Sequence, residues 1–230
     1  LKNKGDLYVA TGLGTVIRLP AGEDGYVLKS NSGTPEGLMW GPAGARQELT
    51  ENITVTVGEL GDFPTINAAL ESVVALYYPK YISGNNCPKV TINLLSGFIM
   101  NEQVSVKSLD LSWITITGYD EETIINRSAL TKEITDNCCP AFIAYNGGFL
   151  PIINQLFIMD TSGAHGGRHG IVAQYNSRAI ISPGCGVKNA GYFGIVASNG
   201  SIINAPGANA SEATITGILA EQNSIINASG

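Results

Sequence analysis

The chain has 230 residues and a formal net charge of −6, and only 14% of its residues are charged, against roughly 25% in an ordinary soluble domain. It carries no basic patch, which excludes a nucleic-acid-binding surface, and no apolar run long enough for a membrane-spanning helix. Its 28 glycines, with abundant Ile, Val, Thr, Ser and Asn, favour strands and turns over helices.

Residues 1–46 read as a small β-rich module. KGDLYVATGLGTVIRLPAGEDGYVLKSNSGTPEGLMW has strands punctuated by Gly but too little apolar mass for a core of its own. Such a segment is stable when it associates with copies of itself or packs on a neighbour. Gly41-Pro42-Ala43-Gly44 ends it, and residues 47–61 form a linker and lead-in strand containing Ile53-Thr-Val-Thr-Val57. A capping helix is expected over 62–79. Asp62 can serve as N-cap and Pro64 sits near the first turn. Ile66, Ala69, Leu70, Val73, Val74 and Tyr77 fall on one helical face, and Pro79 stops it. Three strand-like runs follow, Val90–Leu95, Gln103–Val106 and Trp113–Thr117, and Asp120-Glu121-Glu122 marks a solvated turn.

From 123 onward the chain repeats itself. Thr123-Ile-Ile-Asn126, Pro151-Ile-Ile-Asn154, Ala179-Ile-Ile-Ser182, Ser201-Ile-Ile-Asn204 and Ser224-Ile-Ile-Asn227 recur at steps of 28, 28, 22 and 23 residues. A second motif keeps step: Gly170-Ile-Val-Ala, Gly194-Ile-Val-Ala and Gly217-Ile-Leu-Ala, with Phe142-Ile-Ala-Tyr145 as a divergent copy. Two motifs on one period of 20–50 residues mean stacked structural units. The apolar runs are short and separated by Asn-Gly, Pro-Gly and similar breaks, which suits a coil of three short strands. In the coil starting at 194 these strands are expected at Gly194–Ala197, Ser201–Asn204 and Ala213–Thr216. The fold class that follows is all-β: a right-handed parallel β-helix over 80–230, with about 23–28 residues per coil, behind the capping helix. Each Ile pair is expected to stack on the next and to fill the interior or a covered face. Each following Asn (Asn126, Asn154, Asn204, Asn227) is expected at a corner, bonded to the next Asn along the axis and tolerant of a left-handed turn. The ladder runs to within a few residues of Gly230, and the chain starts at Leu1 rather than Met, so it reads as part of a longer protein.

The four cysteines, Cys87, Cys138, Cys139 and Cys185, fit no zinc spacing. They read either as buried free thiols or as one disulfide made after export.

Residues 5–40 resemble a short module recurrent in bacteriophage tail fibre and tailspike proteins: Gly-Asp-Leu, a Gly-rich hairpin, Leu-Pro-x-Gly-x-Asp-Gly, and a closing Gly-x-x-Trp. Gly61-Asp-Phe-Pro-Thr-Ile-Asn-Ala-Ala-Leu-Glu-Ser-Val73 followed by a β-helix is similar to phage tail proteins of the pectin-lyase-like superfamily. The resemblance implies a homotrimer in the virion, synthesised in the host cytoplasm. Residues 1–46 would attach to other tail or baseplate proteins, and the β-helix would recognise host surface polysaccharide. The alternative is a polysaccharide depolymerase with its active site beyond residue 230 or between subunits.

Residues 140–230 contain only three carboxylates, Asp160, Glu212 and Glu221, with no Asp-Asp pair. Glycoside hydrolysis ordinarily needs two carboxyls about 5–10 Å apart. No catalytic residue, cofactor site or metal site is therefore assigned. His165-Gly-Gly-Arg168-His169-Gly is similar to the Gly-His-Gly step of polygalacturonase-like enzymes, but their acidic partners are missing. It reads as a solvated turn or a contact for a glycan or other anion. Tyr145, Tyr175 and Tyr192, with Phe193, fall near corners of successive coils, where aromatic rings either pack or stack on sugars. The glycan-contact candidates are thus Tyr145, His165, Arg168, His169, Tyr175 and Tyr192.

Overall fold

A computed structural model describes the chain except residues 1–3, 13, 24–25, 32, 43, 45, 81–86, 101, 120–139, 160–168 and 230. It separates into two units, Leu1–Gln47 and Glu48–Gly230.

The first unit is a pair of hairpins. β1 (Leu7–Gly12) runs antiparallel to β2 (Thr15–Leu19), and β3 (Tyr26–Ser30) antiparallel to β4 (Leu38–Pro42). Polar anchors tie the loops to the strands. The buried Asp6 carboxylate accepts from Arg18 Nε at 2.6 Å and from the Ala21 N–H at 3.2 Å. The Trp40 indole N–H donates to the Pro20 carbonyl at 2.6 Å. Gly22 lies under the Trp40 ring, where a Cβ would stand 2.7 Å from Cγ. The Gly-Asp-Leu, Leu-Pro-x-Gly and Gly-x-x-Trp signatures therefore meet one another. Among the described residues of this unit, none belongs to a buried apolar core.

The second unit begins with β5 (Gln47–Glu48) and β6 (Ile53–Val57), followed by α1 (Ile66–Leu76) and β7 (Tyr77–Tyr78). The helix is shorter than the 62–79 span read from sequence, and its N-cap is Thr65, which accepts from the Ala68 N–H at 3.2 Å. Asp62 does different work: its carboxylate accepts from both the N–H and the hydroxyl of Thr56, each at 2.8 Å. Those bonds hold its pKa below the usual carboxylate value. Ile66, Ala69, Leu70 and Val73 form the buried face of α1, as the periodicity requires.

From there the chain is mostly parallel β. β8 (Val90–Leu94), β9 (Val104–Lys107), β10 (Ile114–Thr117), β11 (Phe142–Tyr145), β12 (Ile152–Asn154), β13 (Phe157–Met159), β14 (Ile171–Gln174), β15 (Arg178–Ile180), β16 (Gly186–Lys188), β17 (Phe193–Ser198), β18 (Ile202–Asn204), β19 (Thr216–Ala220) and β20 (Ile225–Asn227) follow. They sort into parallel ladders: β6-β8-β10-β12, β9-β11-β14-β17-β19, β15-β18-β20 and β13-β16. Single bridges, Phe149 to Arg178 and Ile153 to Ile181, carry the first ladder into the third. Alternation fills the space between them: Val90, Ile92 and Leu94, Ile114 and Ile116, Ile171 and Ala173, Ile195 and Ala197 are all buried.

The second motif stacks in the register read from sequence. Phe142 pairs with Ile171, Ile171 with Ile195, and Ile195 with Ile218. Its leading Gly has a steric cause. A Cβ at Gly170 would stand 2.6 Å from the Gly194 carbonyl oxygen, and one at Gly194 would stand 2.5 Å from that of Gly217. No L side chain fits where the next strand's backbone passes so close.

The Ile-Ile-Asn motif needs three corrections. Only its second Ile enters the core: Ile153 and Ile203 are fully buried, while Ile202 is 42% and Ile225 59% exposed. Adjacent residues of a strand point to opposite faces, so a pair cannot both stack inward. The register at 178–182 is also shifted by two: Arg178 pairs with Ile202 and Ala179 with Ile203, a step of 24 rather than 22. A two-residue shift preserves inside and outside, so pattern matching alone does not detect it. The copy at 123–126 lies outside the described residues. Finally, the asparagines in left-handed conformation among the described residues are Asn146, Asn176, Asn189, Asn199 and Asn223, not Asn154, Asn204 or Asn227. The expected amide contact does form at one step, with Asn227 Nδ2 donating to Asn204 Oδ1 at 3.2 Å. An inner serine ladder runs beside it, Ser177 N–H to Ser201 Oγ at 3.0 Å and Ser201 N–H to Ser224 Oγ at 3.1 Å.

The strand expected at Ala213–Thr216 is absent. The chain touches the β13-β16 ladder instead through a bridge between Gly186 and Asn209, and β19 begins at Thr216. Cys185 is a buried free thiol and Cys87 is half-buried; Cys138 and Cys139 lie outside the described residues. No helix among the described residues is long and apolar enough to cross a membrane.

Candidate functional site

The five-stranded ladder β9-β11-β14-β17-β19 presents two repeating columns on its outer face. Strand alternation sends Ser105, Ile143, Val172 and Val196 outward in register, and Leu219 continues the column. Ile143, Val172 and Val196 form a second apolar cluster separate from the main core, flanked by Tyr145, Phe193 and Leu219. Two residues further along each strand stands a polar column: Lys107, Tyr145, Gln174 and Ser198 in direct register. Glu221 continues it, one residue past the Ala197–Ala220 pair. Lys107 Nζ lies 5.7 Å from the centroid of the Tyr145 ring, within cation–π range.

The opposite border is aromatic. The His169 ring stacks on Phe193 at 5.2 Å between centroids and meets Tyr192 edge-on at 5.5 Å. Tyr192 and Phe193 are 4.3 Å apart. Between the aromatic border and the polar column lies a cavity of about 110 Å³, whose wall includes His169, Phe193, Gln174, Ser198 and Glu221. The strands are spaced about 4.8 Å apart, so the five rungs span roughly 19 Å; Ile143, Val172, Val196 and Ser198 are buried within the face.

His169 precedes β14 and Glu221 follows β19, and both line this cavity. Among the described residues, no group of three or more His, Cys, Asp or Glu could hold a metal ion.

Of the six glycan-contact candidates, the structure brings Tyr145, His169 and Tyr192 to this one face. Tyr175 stands apart in the turn after β14, at φ +58° and 51% exposed. His165 and Arg168 lie outside the described residues. Sequence reasoning missed Lys107, Gln174 and Ser198. Their signal was available: each polar side chain, with Tyr145 and Glu221, follows a copy of the inward-outward-inward strand motif (Val104-Ser-Val-Lys, Phe142-Ile-Ala-Tyr, Gly170-Ile-Val-Ala-Gln, Gly194-Ile-Val-Ala-Ser, Gly217-Ile-Leu-Ala-Glu).

A second cavity, of about 200 Å³, opens between α1 and β9, lined mainly by Leu70, Val74, Val106, Leu109 and Leu111. Beside it Glu102 accepts from the Asn67 N–H at 3.1 Å at the N-terminus of α1. Burial pushes the pKa of Glu102 up, and its hydrogen bonds oppose that shift only in part.

No family model and no curated protein sequence matches the chain.

Proposed function

We propose that the chain is a component of a phage tail fibre or tailspike, in which residues 48–230 are a right-handed parallel β-helix of the pectin-lyase-like kind that recognises host surface polysaccharide. Residues 1–47 would be the attachment module, and the assembly a homotrimer. The observation that carries the binding role is the outer face of the β9-β11-β14-β17-β19 ladder. An aromatic border of His169, Tyr192 and Phe193 faces a column of Tyr145, Gln174 and Ser198 across a cavity. Rings that stack on sugars beside hydroxyl- and amide-bearing side chains that bond them suit a glycan. The ladder spacing of about 4.8 Å is close to the length of one sugar ring in an extended chain, so successive sugars of a polysaccharide would fall on successive rungs. Lys107 and Glu221 stand at opposite ends of the column, which leaves its middle uncharged and favours a neutral stretch of polymer.

Support for the attachment role is the meeting of the tail-fibre signatures in the first unit, Asp6 with Arg18 and Ala21, and Trp40 with Pro20 and Gly22. The test is incubation of the full chain with purified surface polysaccharides, reading retention and, in parallel, reducing ends and unsaturated sugars. Retention without product, weakened at least tenfold by Gln174→Ala and by Phe193→Ala, is expected. Release of oligosaccharides would replace this reading with the depolymerase one. Absence of retention by any polysaccharide would remove it.

A further inference from the structure

Two long ladders of the second unit end beside α1, and the chain treats their last strands differently. β6 closes one ladder, and its outward edge is occupied. The Asp62 carboxylate accepts from the Thr56 N–H at 2.8 Å, and the Phe63 N–H donates to the Thr56 carbonyl at 3.1 Å. β9 closes the other. Its Val104 and Ser108 N–H groups donate to the Ala141 and Tyr145 carbonyls on the β11 side, so alternation turns the backbone groups of Gln103, Ser105 and Lys107 to the opposite edge. Asn67 of α1 covers the start of that edge by donating to the Gln103 carbonyl at 2.9 Å. Beyond Gln103, β11 is the only strand partner of β9 among the described residues. An edge in this state is a template for another extended chain.

The cavity of about 200 Å³ lies along the uncovered stretch, between Ser105 and the apolar side chains of Leu70, Val74, Leu109 and Leu111. An aliphatic cavity of about 150 Å³ holds benzene, so one Leu- or Phe-sized side chain fits here. The exposed Glu71 forms part of the wall. The cation of the strand, Lys107, lies with its Nζ 5.7 Å from the centroid of the Tyr145 ring, on the β11 side.

We propose that the β9 edge is a strand-addition site for an extended segment of a partner protein that carries a basic residue next to an apolar one. The backbone groups of Ser105 and Lys107 pair with the main chain of the segment, the cavity takes its apolar side chain, and Glu71 faces the basic one. A small apolar ligand uses the cavity without the edge, whereas a peptide uses both. Charge complementarity selects a basic segment over a second copy of this chain. Residues 48–230 hold eight basic and fifteen acidic side chains, so two copies of the second unit repel. The inference does not rest on polysaccharide binding, which uses the outer face of the ladder rather than its edge.

The test is fluorescence anisotropy of the full chain with a panel of short labelled peptides in which Lys or Thr alternates with Leu, Val or Phe. Companion panels carry Glu in place of Lys, or N-methyl groups on alternate backbone amides in either phase. At least one Lys peptide is expected to bind, its Glu counterpart and one N-methylated phase each binding at least tenfold more weakly. Hydrogen exchange in residues 103–108 is expected to slow in the complex. Glu71→Lys is expected to reverse the preference between Lys and Glu peptides. Leu109→Lys, at a position 48% exposed, is expected to weaken both at least fivefold. An unchanged main thermal transition reports folding of the variants, and Leu109→Ser replaces Leu109→Lys under the same criteria if that transition is lost. Failure of every peptide to bind would overturn the proposal. So would binding undiminished by N-methylation in either phase, which marks a pocket for small apolar ligands. Slowing of exchange in residues 103–108 by concentration of the chain alone would assign the edge to a second copy and overturn it too.

Discussion

The two units use the same strand-forming residues and reach opposite results. In the second, each strand inside a ladder has one neighbour before it and one after, a few dozen residues away, so a side chain sent inward meets its counterparts from the adjacent rungs. Ile171, Ile195 and Ile203 are fully buried in this way. In the first, each strand has a single antiparallel partner, and the described residues include no buried apolar side chain. Its order comes instead from polar anchors, the Asp6 carboxylate and the Trp40 indole. The difference teaches that β propensity and apolar content do not make a core. Repetition along an axis does, because each rung covers the apolar face of the one before it.

The hardest way to break the comparison is to attack the core of the ladder. Ile203→Asp places a carboxylate in a fully buried position, and chemical denaturation should show a loss of several kcal/mol. Ile202→Asp, one residue away on the exposed face, should change stability by about 0.5 kcal/mol or less. Equal effects of the two would mean the register is wrong. Gly194→Ala comes next. Its Cβ would press on the Gly217 carbonyl, and the forced backbone shift should cost about 1–3 kcal/mol, read in the same melt. Thr65→Ala should cost about 1 kcal/mol by removing the N-cap of α1.

How much of this was legible in the sequence depends on what each residue had to declare. The Gly-Ile-Val-Ala copies stated their register because a glycine excluded by a neighbouring carbonyl can occupy only one place in the rung. The Ile-Ile-Asn copies misled, because two adjacent Ile look alike while only one faces inward. The slip at Ala179 was hidden since an even shift preserves alternation. Asp62 and Thr65 are both good caps in composition, and only the approach of Thr56 to Asp62 decides between them. In the candidate site, the aromatic residues announced themselves. Gln174 and Ser198 matter only through stacking in one column, a relation between strands that no single stretch of sequence contains.

The smallest effect concerns pH at the junction of α1 and β9. The raised pKa of Glu102 means the folded state holds its proton more tightly than the unfolded chain. Its contribution is therefore fully present below the ordinary glutamate value and is lost as pH rises through the folded value. Asp62, with its pKa lowered by Thr56, has the reverse sign: its contribution is present above the ordinary aspartate value and is lost as pH falls through the folded one. Glu102→Gln should remove the first trend, giving a variant slightly more stable than the parent at neutral pH with no gain in acid. Thermal melts between mildly acidic and neutral pH check the sign.

Hydrogen exchange read by mass spectrometry on the full chain, across a dilution series, tests the contrast between the units most directly. Amides of β8–β18 should remain protected at every concentration, because their partners lie in the same chain. Amides of β1–β4 should be protected when the chain is concentrated and exchange rapidly when it is dilute. Protection of β1–β4 that does not change on dilution would contradict the account, since it would show that the first unit is stable without other copies.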